Sequence, residues 1–277
     1  MEDVLRRALE LGEDGRWEEM ARLLAEALAE EPEDPYLLCW LGVAERELDN
    51  DGAAYEYFKR CLAQEPLDPQ LLAIAGSGLA AFDDPAAESA LRAAALTGPE
   101  IPGTRLQYGA YLARAGLFEE ALEQLAAARD LAPEDPTVYG ELATAHALKG
   151  DHGAAIRELD HALELEPDDA WNRILLGLLY VEQDQIEDAA EALWRAAEQA
   201  ESDPEAQIAA ALAAAAVGWE EAAQTALLRA GYAAEAADRL LIDEAEERVT
   251  MGAEAARSLL VDSLAPSMLH DRLIQPL

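Results

Sequence analysis

The sequence predicts an all-α protein, a solenoid of about seven helix-turn-helix units closed by C-terminal capping helices. Three observations carry that expectation. Short phrases recur along the chain, EEPEDP ending at Pro35, QEPLDP at Pro69, LAPEDP at Pro136 and LEPDDA at Ala170. The prolines within them, with Pro99, stand at 32, 66, 99, 133 and 167, in steps of 34, 33, 34 and 34, and one more step of 34 reaches Glu201. Such a period marks a repeat architecture in which each unit buries its apolar face against the next. Secondly, Asp34, Asp68, Asp135 and Asp203 each precede a proline. An aspartate can accept from the free N–H groups of a first helical turn, and the fixed φ of proline suits the first helical position. Thirdly, each period holds two stretches of helical periodicity parted by a turn with Gly or Asp, as in RAGLFEEA around Gly116 and LKGDHGAA around Gly150.

The units fall at 1–34, 35–68, 69–101, 102–135, 136–169 and 170–203, with a degenerate seventh over 204–231. The first lacks an early aromatic and glycine. The third is one residue short and carries AGSG, with Gly76 as the small helix-packing position and Gly78 as a looser extra. Next comes TGPEIPG, Thr97 to Gly103, where two prolines and two glycines predict a bend between repeats 1–101 and 102–231. The fourth unit is the most regular, the sixth has Glu201 for proline, and the seventh is mostly alanine. Beyond Gly231 the period is lost, leaving 232–277 as a capping region. Residues 233–264 read as one or two amphipathic helices with Leu240, Leu241, Val249, Leu259, Leu260 and Leu264 apolar, and they serve as the end cap that stacked repeats need.

The tail from Pro266 to Leu277 carries Met268, Leu269, Leu273, Ile274 and Leu277, too apolar to be left in water without a reason. It is expected to dock on apolar repeat surface, its own or that of a second copy, where Gly140, Thr144 and Ala147 leave space beside Trp171, Ile174 and Leu178. The competing expectation is a disordered tail that serves as a short motif for another protein.

Small and large positions recur in register. The fourth unit reads Tyr108, Gly109, Leu112, Gly116, Phe118, Ala121, Leu125, Ala128 and Pro133; the fifth, Leu142, Ala143, Gly150, Ala155, Leu159, Ala162 and Pro167; the sixth, Leu176, Gly177, Tyr180, Ala189, Leu193 and Ala196. In this the chain resembles the tetratricopeptide repeat family over some four fifths of its length. The small residues stand where two helices nearly touch and the large ones fill gaps between units. The resemblance implies a right-handed superhelix whose first helices, the A helices, line a concave groove with their second, fifth, ninth and twelfth residues. Those include Tyr36, Cys39, Val43 and Arg46; Gln70 and Ser77; Leu106 and Ala110, with Arg114 after them; Thr137, Gly140 and Thr144; Trp171, Ile174, Leu178 and Val181; Ile208 and Leu212. This groove is small and apolar, not cationic. Neither Lys59 nor Lys149 stands where the family clamps terminal carboxylates, so that use is excluded. The sixth A helix, ILLGLLYV from Ile174 to Val181, is apolar on every face and must be covered, by neighbouring helices, a ligand segment or a second subunit.

Composition narrows function. The 277 residues are 51% hydrophobic, enough to fold, and 57 acidic against 20 basic side chains give a net charge of −37. That charge repels nucleic acid and anionic membranes and favours basic partners. Arginine outnumbers lysine heavily, which fits a GC-rich bacterial or archaeal genome or a salt-adapted surface. No window approaches a membrane span and no signal sequence opens the chain, so a cytoplasmic protein is expected. Cys39 and Cys61 read as buried reduced thiols on different faces of the second helix pair.

Catalytic signals are thin. Gly76-Ser77-Gly78 has neither the spacing of a nucleophile elbow nor the Lys-Ser/Thr ending of a phosphate loop. His146, His152 and His161 cluster in the fifth unit beside Asp151 and Asp160, but packing roles explain the first two, and no metal or cofactor is expected. The sequence reads as a non-catalytic interaction scaffold holding an apolar, basic-compatible peptide or helix in its groove. The alternative is a homo-oligomer assembled through the C-terminal helices or the groove.

Overall fold

The computed structural model describes residues 2–234 and 238–274. Contacts divide the chain between Pro133 and Glu134 into two compact units. The first holds α1 (Glu2–Glu13), α2 (Trp17–Glu30), α3 (Pro35–Glu47), α4 (Asp51–Ala63), α5 (Pro69–Ala80), α6 (Ala86–Thr97), α7 (Pro102–Arg114) and α8 (Phe118–Leu131). The second holds α9 (Pro136–Leu148), α10 (His152–Leu165), α11 (Ala170–Glu182), α12 (Ile186–Gln199), α13 (Pro204–Ala216), α14 (Glu220–Ala233), α15 (Arg239–Met251), α16 (Ala253–Leu259), a π-helical turn at Leu260–Leu264, and α17 (Ala265–Ile274). No strand occurs among the described residues. Within each unit successive helices pair, odd-numbered A with even-numbered B up to α14, and each pair packs on the next.

The aspartate caps form as their sequence position demands. Asp34 accepts from Leu37 N at 2.9 Å, Asp68 from Gln70 N at 2.8 Å, Asp135 from Thr137 N at 3.0 Å and Asp203 from Ala206 N at 3.1 Å. Asp169, which precedes no proline, caps α11 through Asn172 N at 3.0 Å.

Between the helices of every pair one residue takes the left-handed conformation: Gly15, Asp49, Asp83, Gly116, Gly150, Asp184 and Gly218, with φ from 53° to 85°. Their spacing is 34, 34, 33, 34, 34 and 34, so the turn repeats through the irregular first and seventh pairs as well. Gly takes this conformation without a Cβ penalty, and Asp is among the few other residues that tolerate it.

Small residues sit where a B helix presses on its A helix. A Cβ on Gly109 would stand 2.7 Å from Leu125 Cγ, and one on Gly177 2.7 Å from Leu193 Cγ. Gly42 and Gly76 meet Phe58 and Leu91 in the same way. Gly78 is no looser extra: a Cβ there would overlap the ring of Phe58. Cys39 and Cys61 do not occupy separate faces either; they are buried neighbours across α3 and α4, and the Cys61 thiol together with burial holds the Cys39 thiol well above its ordinary value.

The junction at 97–103 lies inside the first unit. The Thr104 hydroxyl stands 2.8 Å from both Gly98 O and Ile101 O and donates its one hydrogen between them, and Arg105 Nε donates to Pro99 O at 2.8 Å. In the second unit, α15 and α16 cover α13, and α17 crosses α11 and reaches α9. Pro266, with no N–H to donate, follows the π-helical turn that joins α16 to α17.

Candidate functional site

The A-helix face carries the residues expected to line a groove, and the two units differ on it. In the first, Tyr36 is 38% exposed and its hydroxyl donates to Asp68 Oδ2 at 2.8 Å. Val43, Arg46 and Arg114 are half-buried and Gln70 is exposed. Arg114 donates to Ala110 O at 3.2 Å within its own helix. Cys39, Ser77, Leu106 and Ala110, expected to line the groove, are buried. Adjacent A helices approach closely enough that fifth and ninth residues fall between them and not on the open surface.

In the second unit the face is covered. Ile174, Leu178, Val181, Ile208 and Leu212 are buried in one core cluster with Leu260, Leu264, Met268, Leu269 and Leu273 of the C-terminal segment. These five positions are therefore not open groove. The described part of the tail, α17, packs on its own chain and covers the apolar α11, although Ile274 stays 50% exposed; Leu277 lies outside the described residues. Thr137 remains exposed, while Thr144 is buried and donates to Gly140 O at 3.0 Å. The space expected beside Gly140 is taken by Asn172, whose Oδ1 would stand 3.0 Å from a Cβ there.

One polar feature on this face goes beyond the sequence pattern. The Arg272 side chain of α17 is 9% exposed and its guanidinium lies over the Trp171 ring, 4.3 Å from the centroid. Its Nη2 stands 3.7 Å from Asp203 Oδ2, while Asp203 Oδ1 caps α13. Burial lowers the Arg272 guanidinium from its ordinary value, and Asp203 and Glu205 oppose that shift. Glu205 is raised by desolvation and by Asp203, with Arg272 acting the other way. A second tie, Arg257 of α16 to Asp184, fastens the C-terminal segment to the turn before α12. The tail's apolar pattern is readable in the sequence; the arginine's niche, assembled from three separate elements, is not.

Two of the fifth-unit histidines make separate contacts. His152 Nδ1 lies 3.2 Å from Gln183 Nε2, and His161 packs edge-on against Tyr139 and stands 3.3 Å from Glu164. Among the described residues no three His, Cys, Asp or Glu side chains gather in a metal-binding group. No helix among them is long and apolar enough to cross a membrane.

Models of the tetratricopeptide repeat match residues 102–145 and 146–216. Over residues 102–216 this chain is built of tetratricopeptide repeats. The same turn geometry and helix pairing extend the repeat to α1–α6, outside the matched residues. Among solved structures, the Cut9-Hcn1 hetero-tetramer of the APC/C is similar at 21% identity over 87% of this chain and 48% of that one, with a TM-score of 0.68. This chain thus spans about half the length of that relative. PilW, a type IV pilus biogenesis factor, is similar at 20% identity over 71% of this chain and 92% of that one, TM-score 0.61. A thermophilic tetratricopeptide repeat protein of Thermus thermophilus is similar at 26% identity over 62% of this chain and 95% of its own, TM-score 0.53. A search of curated proteins found no match.

Proposed function

We propose that this tetratricopeptide repeat protein is a non-catalytic interaction scaffold, and that the A-helix face of its first unit holds an apolar, basic-compatible peptide or helix of a partner protein. The observation that supports the reading is that the corresponding face of the second unit already holds a helix, α17, by apolar burial. Among the described residues of the first unit no helix crosses α3, α5 and α7 in that way. Tyr36, Val43, Arg46 and Gln70 offer a modest mixed surface, and the net charge of −37 favours partners with basic residues. Ordering a flexible partner offsets much of what burial contributes, so affinities near micromolar are expected, about −8 kcal/mol.

A random peptide library displayed on phage and selected on the full chain tests this. Enriched apolar peptides should lose binding to Val43→Glu and to Ala80→Glu, the latter at the twelfth residue of the third unit, and keep it with the B-helix control Glu26→Ala, while the helical content of all three variants stays unchanged. A library that yields no enriched family, or peptides indifferent to both groove substitutions, would overturn the reading.

A further inference from the structure

We propose that the face of α9, α11 and α13 is a receptor for an arginine-bearing amphipathic helix of another protein, and that α17 is the chain's own copy of that ligand, occupying the receptor until the partner displaces it. The inference rests on the reading of the A-helix face as a binding surface and adds the chemistry of the partner. Covering α13 does not require α17, because α15 and α16 already do so. Instead α17 turns back to the sixth and fifth pairs, as a ligand laid along the face would.

The mode of contact is selective. Burial of Met268, Leu269 and Leu273 would suffice for a cap, yet α17 also buries an arginine side chain to 9% exposure. Burying a cation is costly unless it is met by partners. Those partners are built into the repeats. Trp171 supplies a ring face at 4.3 Å, from the first turn of α11. Asp203 supplies a carboxylate oxygen at 3.7 Å while its other oxygen caps α13, and Glu205 adds negative potential from the first turn of α13. The niche thus reads two consecutive apolar residues followed three positions later by arginine and one more apolar residue, the pattern of Met268, Leu269, Arg272 and Leu273. A second copy of this chain would approach against a charge of −37 on each molecule, whereas a basic helix of another protein is drawn toward it.

The test uses the full chain and a synthetic peptide of residues 265–274. A full-length Met268→Glu/Leu273→Glu variant, its own helix released, should keep its helical content and bind the peptide. The wild-type chain should bind it about 100-fold more weakly or worse, because the tethered helix competes at high effective concentration. The peptide with Arg272→Ala should bind the variant about tenfold more weakly. On the wild-type chain, excess peptide should speed amide exchange within 265–274 while α11 stays protected, a measurement that does not depend on the variant's folding. A folded variant that ignores the peptide, or wild-type exchange at 265–274 unchanged under excess peptide, would overturn the receptor. An alanine peptide that binds equally well would overturn the arginine niche. A swapped dimer of the wild-type chain, seen as doubled mass by light scattering, would replace the foreign partner with a second copy. None of these failures touches binding at the first unit, which the library selection reads separately.

Discussion

The ring of Phe58 on α4 lies against the backbone of Gly78 on α5 with no room for a methyl group between them. On its other side the same ring meets Gly42 on α3, where a Cβ would stand 2.7 Å from Cε1. One buried aromatic therefore joins the second repeat internally and to the third.

Gly78→Ala sets two effects against each other. Alanine in a helix interior gains about 1 kcal/mol over glycine, while overpacking a filled core costs about 1 to 3 kcal/mol. Phe58 is fully buried and cannot swing aside, so the loss should win. Gly153→Ala on α10, where the nearest atom is 3.8 Å away, should instead be stabilising by about 0.4 to 1 kcal/mol. Urea denaturation of both variants decides; a stabilised Gly78→Ala would mean the packing against Phe58 is loose.

The left-handed turn residue predicts another pair of opposite effects. Gly150 has φ 85°, and Gly150→Ala should cost about 1 kcal/mol, since left-handed backbone penalises a Cβ by about 1 to 2 kcal/mol. At Asp49, φ 58°, the change Asp49→Gly should be stabilising by a few tenths of a kcal/mol after the entropic cost of glycine, about 0.5 to 1 kcal/mol, is subtracted. Thermal melts of the two variants should move in opposite directions, and equal shifts would refute the turn argument.

These turns show what the sequence can and cannot disclose. Glycine and aspartate at one register position are visible as a period, as are the Asp-Pro caps, because both act within a few residues of themselves. The apolar tail is visible for the same reason that α11 is: neither can be left in water. Contacts between distant segments are not. Gly78 looks expendable in the sequence because Phe58, which fills its place, stands 20 residues earlier in another repeat. The Cys39 and Cys61 pairing depends on how α4 rolls against α3, and the Arg272 niche on where a chain end lands. Register alone picks out Tyr36, Val43 and Trp171, yet it cannot say which part of the face the chain covers with itself.

Two aspartates should titrate on opposite sides of the ordinary value of 3.8. Asp84 is lowered by the Ala86 backbone N–H and by the Tyr55 hydroxyl, each donating at 2.9 Å. Its contribution to stability is present above pH 3.8 and lost as pH falls through the lowered folded value. Asp160 is raised by partial desolvation and by Glu164. Its contribution has the reverse sign: present below 3.8 and lost as pH rises through the raised folded value. Carboxyl carbon shifts followed by NMR from about pH 2 to 7 should separate the two midpoints, and Tyr55→Phe should move only that of Asp84, upward. Midpoints on the same side of 3.8 would contradict both assignments.

Salt should stabilise this protein. The 20 Lys and Arg residues cannot neutralise 57 carboxylates, so 57 − 20 leaves 37 acids without a cation of their own. Apart from Arg257 and Arg272, which tie the C-terminal segment to distant aspartates, many of the cations that pair do so locally on helix surfaces, as in Arg6 with Asp3, Arg92 with Glu88 and Arg195 with Glu191, each at 2.6 Å and with the side chains more than 40% exposed. Such pairs contribute about 0 to 1 kcal/mol apiece, so little is lost when salt weakens them. The repulsion among the remaining carboxylates acts over longer distances, and a screening length that shrinks from about 30 Å at 0.01 M to about 10 Å at 0.1 M removes most of it. The melting temperature should therefore climb steeply over that tenfold range of salt and flatten toward about 1 M. Sodium chloride and sodium perchlorate should act alike at the lower concentrations, because screening depends on charge and not on ion identity. A melting curve that stays level or falls between about 0.01 and 0.1 M would show that the acidic surface is not the source of strain in this fold.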